Sequence, residues 1–131
     1  MVQVKTEGVH TGEFVVSESP GTISRSEVGG VVVTVPTART LSPGHVLGRL
    51  ATGKYVPYDN AGSDGSETAR AILYDECNNS AGVAPADFKA VVLDFGCEVA
   101  KAGLAWESGV DAAGKTAAYA DLAAFGIKAR S

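Results

Sequence analysis

Residues 109–116, GVDAAGKT, have the types and spacing of a phosphate-binding loop: Gly109, four residues, then Gly114, Lys115 and Thr116. In such a loop glycine N–H groups cradle phosphates, the lysine reaches the terminal phosphates and the hydroxyl helps hold magnesium. The apolar run AVVLD ends at Asp94, as would a strand that presents a magnesium-binding aspartate. The surroundings argue against this chemistry. A phosphate loop follows a buried strand and opens a helix, in a sheet whose other strands come later. Here the preceding strand, expected in GLAWESG, is short and carries Glu107 near its end, and Asp111 sits inside the cradle, where its charge repels phosphate. Fifteen residues follow Thr116, too few for further βα units. The aspartate strand precedes the loop. A simpler reading makes Gly109 a turn, Asp111 the N-cap or a first-turn anion of a helix, and Lys115 and Thr116 its surface.

Other constellations are weaker. In DNAGSDGSE, a calcium loop registered on Asn60 places Asp64 and Gly65 fifth and sixth, but puts Gly62 third and Ala71 twelfth, where a bidentate glutamate belongs. The stretch reads as a solvated turn. His10 and His45 lie in no nucleophile motif, and with Cys77 and Cys97 they lack the close pairing of a zinc ribbon. Tyr55, Tyr58, Phe88, Phe95 and Trp106 read as core and interface anchors, with a sugar-binding face as the alternative. No catalytic residue, cofactor or metal is expected.

These groups sit on a chain of 131 residues, which bounds it to one domain. Hydrophobic residues make up 45%, charged residues 20%, and mean hydropathy is +0.09. The net charge of −4 and pI near 5.1, with no lysine/arginine cluster, exclude the phosphate-neutralising surface that nucleic acid demands and a polybasic membrane contact. No apolar run approaches the ~20 residues of a membrane span, and the start, MVQVKTEGVH, lacks the apolar core of a signal peptide. The expectation is synthesis in the cytoplasm with both cysteines as buried free thiols.

The positioning elements read as short strands between turns. Residues 1–12 have scattered valines and no core face, hence an extended arm. EFVVSE is a short strand, SPGTISRSEVGG is turn-rich, and GVVVTVP is a strand closed by Pro36. A Pro43-Gly44 turn leads into HVLGRL. KYVPYD is expected at a sheet edge, because Pro57 cannot donate to a ladder. TARAILYDEC and DFKAVVLDFG are further strands, although Asp64 and Glu67 at capping-box spacing keep a helix open for the first. CEVAKAGLAWE fits either type. One helix is expected, in GKTAAYADLAAFG: Ala118, Leu122 and Phe125 share a face, Gly126 is the left-handed stop, and Ile127 returns to Leu122.

The order of these pieces, GEFVVSE, GTISRSEV, LSPGHVLGRLATGKYVPYDNAGSDGSETARAIL, DFKAVVLDFGCEV, LAWESG and LAAFGIKAR, resembles the head decoration proteins of lambda-like bacteriophages from about Glu13 to Arg130. The most specific part is VLGRLATGKYVPY followed by DGS and AIL, with the closing Leu122, Gly126, Ile127 and Arg130. The resemblance implies a mainly β fold, a small strand-rich β-clip-like domain over residues 13–131 with one late short helix, preceded by the extended N-terminal arm, 1–12. It implies a non-enzymatic protein of the virion, a homotrimer on the outer surface of the expanded capsid at three-fold and quasi-three-fold sites. Its partner would be the major capsid protein, which it would staple against the pressure of packaged DNA. The resemblance ties capsid binding to the arm region, here Val2, Gln3, Val4, Phe14, Val15 and Val16. A nucleotide-binding enzyme using residues 109–116 is the alternative from a different class.

Overall fold

The computed structural model describes residues 15–18 and 25–130. It is strand-rich with one helix. The strands are β1 (Val15–Glu18), β2 (Arg25–Val35), β3 (Arg39–Leu41), β4 (Val46–Arg49), β5 (Tyr55–Pro57), β6 (Ala69–Leu73), β7 (Cys77–Asn79), β8 (Ala86–Leu93), β9 (Cys97–Ala100) and β10 (Ile127–Arg130). Helix α1 spans Ala112–Ala123. The valines of β2 suit a pleated, half-buried ribbon, and the strand pairs antiparallel with β8 from Val31↔Ala90 to Val35↔Ala86.

Five strands close a barrel in the order β2-β5-β4-β6-β8. A small sheet, β1-β9-β10, lies beside it, and β3 and β7 form a two-stranded ribbon. Alternation along the barrel strands feeds two cores. Val33, Val35, Leu47, Tyr55, Ala71, Leu73 and Val92 fill one, joined by the directly paired Leu41 and Cys77 of the ribbon. Val46, Ile72 and Leu93 turn the other way, onto Cys97, Val99, Leu104, Val110, Ala118, Leu122 and Ile127. The barrel wall is thus buried on both faces, which is why AVVL and AIL are continuous apolar runs rather than alternating ones.

The expected helix is present, with Ala118 and Leu122 buried and Phe125 packed against the same cluster. Gly126 has φ +76°, the left-handed conformation that glycine adopts without strain. Ile127 then rejoins Leu122 in the core. The stretch ARAIL is strand β6, which settles the choice between helix and strand there. CEVA is strand β9, followed by a 3-10 turn at Lys101–Gly103.

Three expectations are corrected. KYVPYD is not at an edge: β5 lies inside the barrel, between β2 and β4. Pro57 is tolerated because pairing with β2 is confined to Val33↔Tyr55, so the missing N–H leaves no gap in a ladder. The turn-rich reading of SPGTISRSEVGG ends too late, since β2 already pairs at Arg25↔Leu93, and the irregularity between Ser26 and Val31 absorbs the glycines. GLAWESG is not a strand; it has one isolated bridge, Ala105 to His45. IKAR, which carries no strand signal, is β10, parallel to β9 from Ile127↔Cys97 to Arg130↔Ala100.

Candidate functional site

The loop at 109–116 is built as a helix cap. Glu107 accepts from the Val110 N–H at 3.1 Å through its backbone carbonyl, closing a turn over Ser108 and Gly109. Asp111 is the N-cap of α1: its carboxylate accepts from the Gly114 N–H at 2.8 Å. The position where a phosphate would meet the helix N-terminus therefore already holds an anion. The Gly114 carbonyl accepts from the Tyr58 hydroxyl at 2.9 Å, and a Cβ on Gly114 would come within 2.8 Å of the Asn60 side chain. Lys115 turns its ammonium over the Trp106 ring, 5.7 Å from the centroid. Thr116 bonds back to the Ala112 carbonyl at 3.1 Å. The segment that runs directly into the loop is not a strand and has one isolated bridge, at Ala105. The geometry gives nucleotide binding no support.

The loop DNAGSDGSE turns its carboxylates onto its own backbone. Asp59 accepts from Ala61, Asp64 from the Ser66 N–H and hydroxyl, and Glu67 from Gly65. The Ser66 bonds hold the Asp64 carboxyl below its ordinary value. No group of three or more potential metal ligands is found among the described residues.

The aromatic residues do not form a flat platform. Trp106 meets Tyr58 and Tyr119 edge-on, at 6.2 Å and 72° and at 5.6 Å and 81°. Lys101 lies over the Tyr119 face at 4.7 Å, so cations sit where a sugar would stack.

One partly buried charge cluster had no signal in the sequence. Arg39 donates to both Glu107 oxygens at 2.7 Å. His45, 4% exposed, brings Nε2 to 3.2 Å from Glu107 Oε1. Nε2 is buried without a directed hydrogen bond, so the Arg39 fork is the oriented contact and the imidazole acts by proximity. His45 and Arg39 together hold the Glu107 carboxyl down to about 2. The cluster ties β3, the entry to β4 and the segment before α1. Among the described residues, no serine hydroxyl bonds to it.

Of the expected binding residues, Val2, Gln3, Val4 and Phe14 lie outside the described residues, as does His10. Val15 and Val16 belong to β1, which pairs antiparallel with β9 through Val15↔Val99, and Val15 packs against the core beside α1. The backbone that leads back into the arm is thus anchored to the folded body. No helix among the described residues is long and apolar enough to cross a membrane.

The family model described as bacteriophage lambda head decoration protein D matches residues 4–127. No curated protein matches the chain.

Proposed function

The chain belongs to the bacteriophage lambda head decoration protein D family, and we propose that it works as a homotrimer that cements the expanded phage head. Decoration of the phage capsid is its role, and the virion its location. In the proposed reading, trimers seat on the outer surface at three-fold and quasi-three-fold sites, bind the major capsid protein and stabilise the shell against packaged DNA. The protein would be made in the host cytoplasm before assembly.

The observation that carries the reading is the span of the family match. It covers the barrel, the small sheet and the helix, and reaches back to residue 4, through most of the arm. The physics is compatible. A trimer that engages several capsid subunits at once multiplies modest contacts through effective concentration. The arm, residues 1–12, precedes a body over 13–131 and would add a strand to a capsid edge. That binding mode rests on backbone hydrogen bonds more than on side-chain identity. Val2, Gln3, Val4 and Phe14 would supply the strand, and Val15 and Val16 would join it to β9.

The test is co-sedimentation of the purified protein with expanded shells that lack it. Saturable binding in multiples of three per site, and a higher temperature of DNA release from decorated heads, are the expected results. Absence of binding to shells would refute the proposal.

A further inference from the structure

The small sheet ends in a strand edge that no contact described so far uses. In the order β1-β9-β10, strand β10 is outermost, and among the described residues no strand lies on its far side. Its pairing with β9 is parallel, from Ile127↔Cys97 to Arg130↔Ala100. The Cys97 N–H donates to the Gly126 carbonyl at 3.2 Å, which sets the direction of the backbone groups that follow. Successive residues of a strand point these groups to alternate sides. Lys128 and Arg130 therefore turn theirs to β9, and Ile127 and Ala129 turn theirs outward. Neither outward residue has a backbone partner on that side among the described residues. Such a row of open donors and acceptors is a template for one more strand.

The side chains select which strand fits. Ile127 is buried, and Ala129 packs against the core cluster that holds Ala118 and Leu122, so one face of the edge is closed. On the other face Lys128 and Arg130 are exposed. Arg130 donates to Glu98 at 2.8 Å, while Lys128 has no carboxylate partner among the described residues. Residues 122–131 contain no Asp or Glu, in a chain whose net charge is −4. An incoming strand that carries carboxylates is attracted here, and a basic one is repelled.

We infer that the outer edge of β10 receives an extended, acidic segment of the capsid protein, which adds a strand to the small sheet. The inference rests on the capsid-binding reading above and gives the folded body an anchor of its own beside the arm. Strand β1, which leads back into the arm, is the opposite edge of the same sheet, two strand spacings or about 10 Å away. A capsid surface that meets the start of the arm at Val15 and Val16 therefore lies beside β10 as well. Strand addition draws its affinity from main-chain bonds, which the outward groups of Ile127 and Ala129 supply. A second β10 does not suit this edge. Pairing β10 with β10 sets cations opposite cations and closes a two-fold pair, not the proposed three-fold assembly.

The test pairs two variants in co-sedimentation with expanded shells. Ala129→Pro removes one outward N–H and spares the bonds to β9, while Ala129→Ser keeps that donor. Loss of one backbone bond should weaken shell binding by the proline form about fivefold or more relative to the serine form, with thermal melts of the two matched. Equal binding overturns the inference and leaves the capsid role standing. A second measurement places the photo-crosslinking residue p-benzoylphenylalanine at the exposed position 128 and irradiates the decorated shells. An adduct with the capsid protein is expected. An adduct between two decoration chains, or none although the protein decorates shells, overturns the inference. Should the proline form melt early, the crosslink decides with the same outcomes. If the parent protein does not bind shells at all, the capsid reading fails and this inference falls with it.

Discussion

Asp111 caps the helix at the amide of Gly114, with 2.8 Å between the carboxylate and the N–H, inside the very stretch that imitates a phosphate loop. An N-cap exchange to alanine costs about 1 kcal/mol. Asp111→Ala should therefore lower the melting temperature by roughly 3–5 °C without creating affinity for magnesium and nucleotide, as read by differential scanning calorimetry and a nucleotide titration.

Lys115→Ala removes the loop's would-be phosphate ligand, yet gives up a half-buried cation–ring contact with Trp106, worth about 1 kcal/mol. Shell binding should match the parent protein. Measurable magnesium-dependent nucleotide affinity in the parent that vanishes in this variant would falsify the capping account of the loop.

The Glu107 cluster sets a pH dependence. His45 and Arg39 hold the carboxyl at about 2 against an ordinary 4.5. A depressed folded-state value stabilises the fold above the unfolded value, and that contribution disappears as pH falls through the folded one. The stability difference between the parent and Glu107→Gln should be full at pH 6, shrink from about pH 4.5 and be gone near pH 2. Denaturant titrations of both proteins at matched ionic strength measure it, and a difference that stayed constant down to pH 2 would count against the linkage. Because Glu107 is partly exposed, the full difference should be about 1–2 kcal/mol.

Cys77 and Cys97 are both buried thiols, neither held in a disulfide. Burial, with Asp75 and Glu76 nearby, pushes the Cys77 thiol up to about 11, and the thiolate is the reactive form. Native protein at pH 8 should resist iodoacetamide, and unfolding in the same reagent should yield two adducts per chain by mass spectrometry. A chain lighter by two hydrogens and unlabelled would instead reveal a disulfide.

Removal of residues 1–12 separates anchor from body. The described body starts at β1, and its two cores draw on residues from Val15 onward, so the truncated protein should melt within about 2 °C of the parent. Binding to shells should fall sharply, because ordering the arm, at roughly 1–2 kcal/mol per residue, is worthwhile only if it contributes contacts. A proline at Val4 should weaken binding by removing one backbone donor. Truncated protein that saturates shells at the parent's concentration would move the anchor to the folded body.

What the sequence determined is local. Valines in succession favour β2, the alanine-rich stretch between Asp111 and Gly126 favours α1, and Pro43-Gly44 turns the chain into β4, because each preference resides in backbone sterics and hydrogen bonds a few residues apart. The order of those pieces was enough to point to the family. Tertiary structure decided what depends on distant partners. Pro57 sits inside a barrel because its neighbour Tyr55 meets Val33. Lys128 and Arg130 lie in a strand only because β9 offers a parallel edge. Arg39 finds Glu107 across 68 residues of sequence, and Asn79 reaches Pro36 across 43. No local periodicity records such pairings, since their free energy exists only once the chain has closed the barrel that brings the partners together.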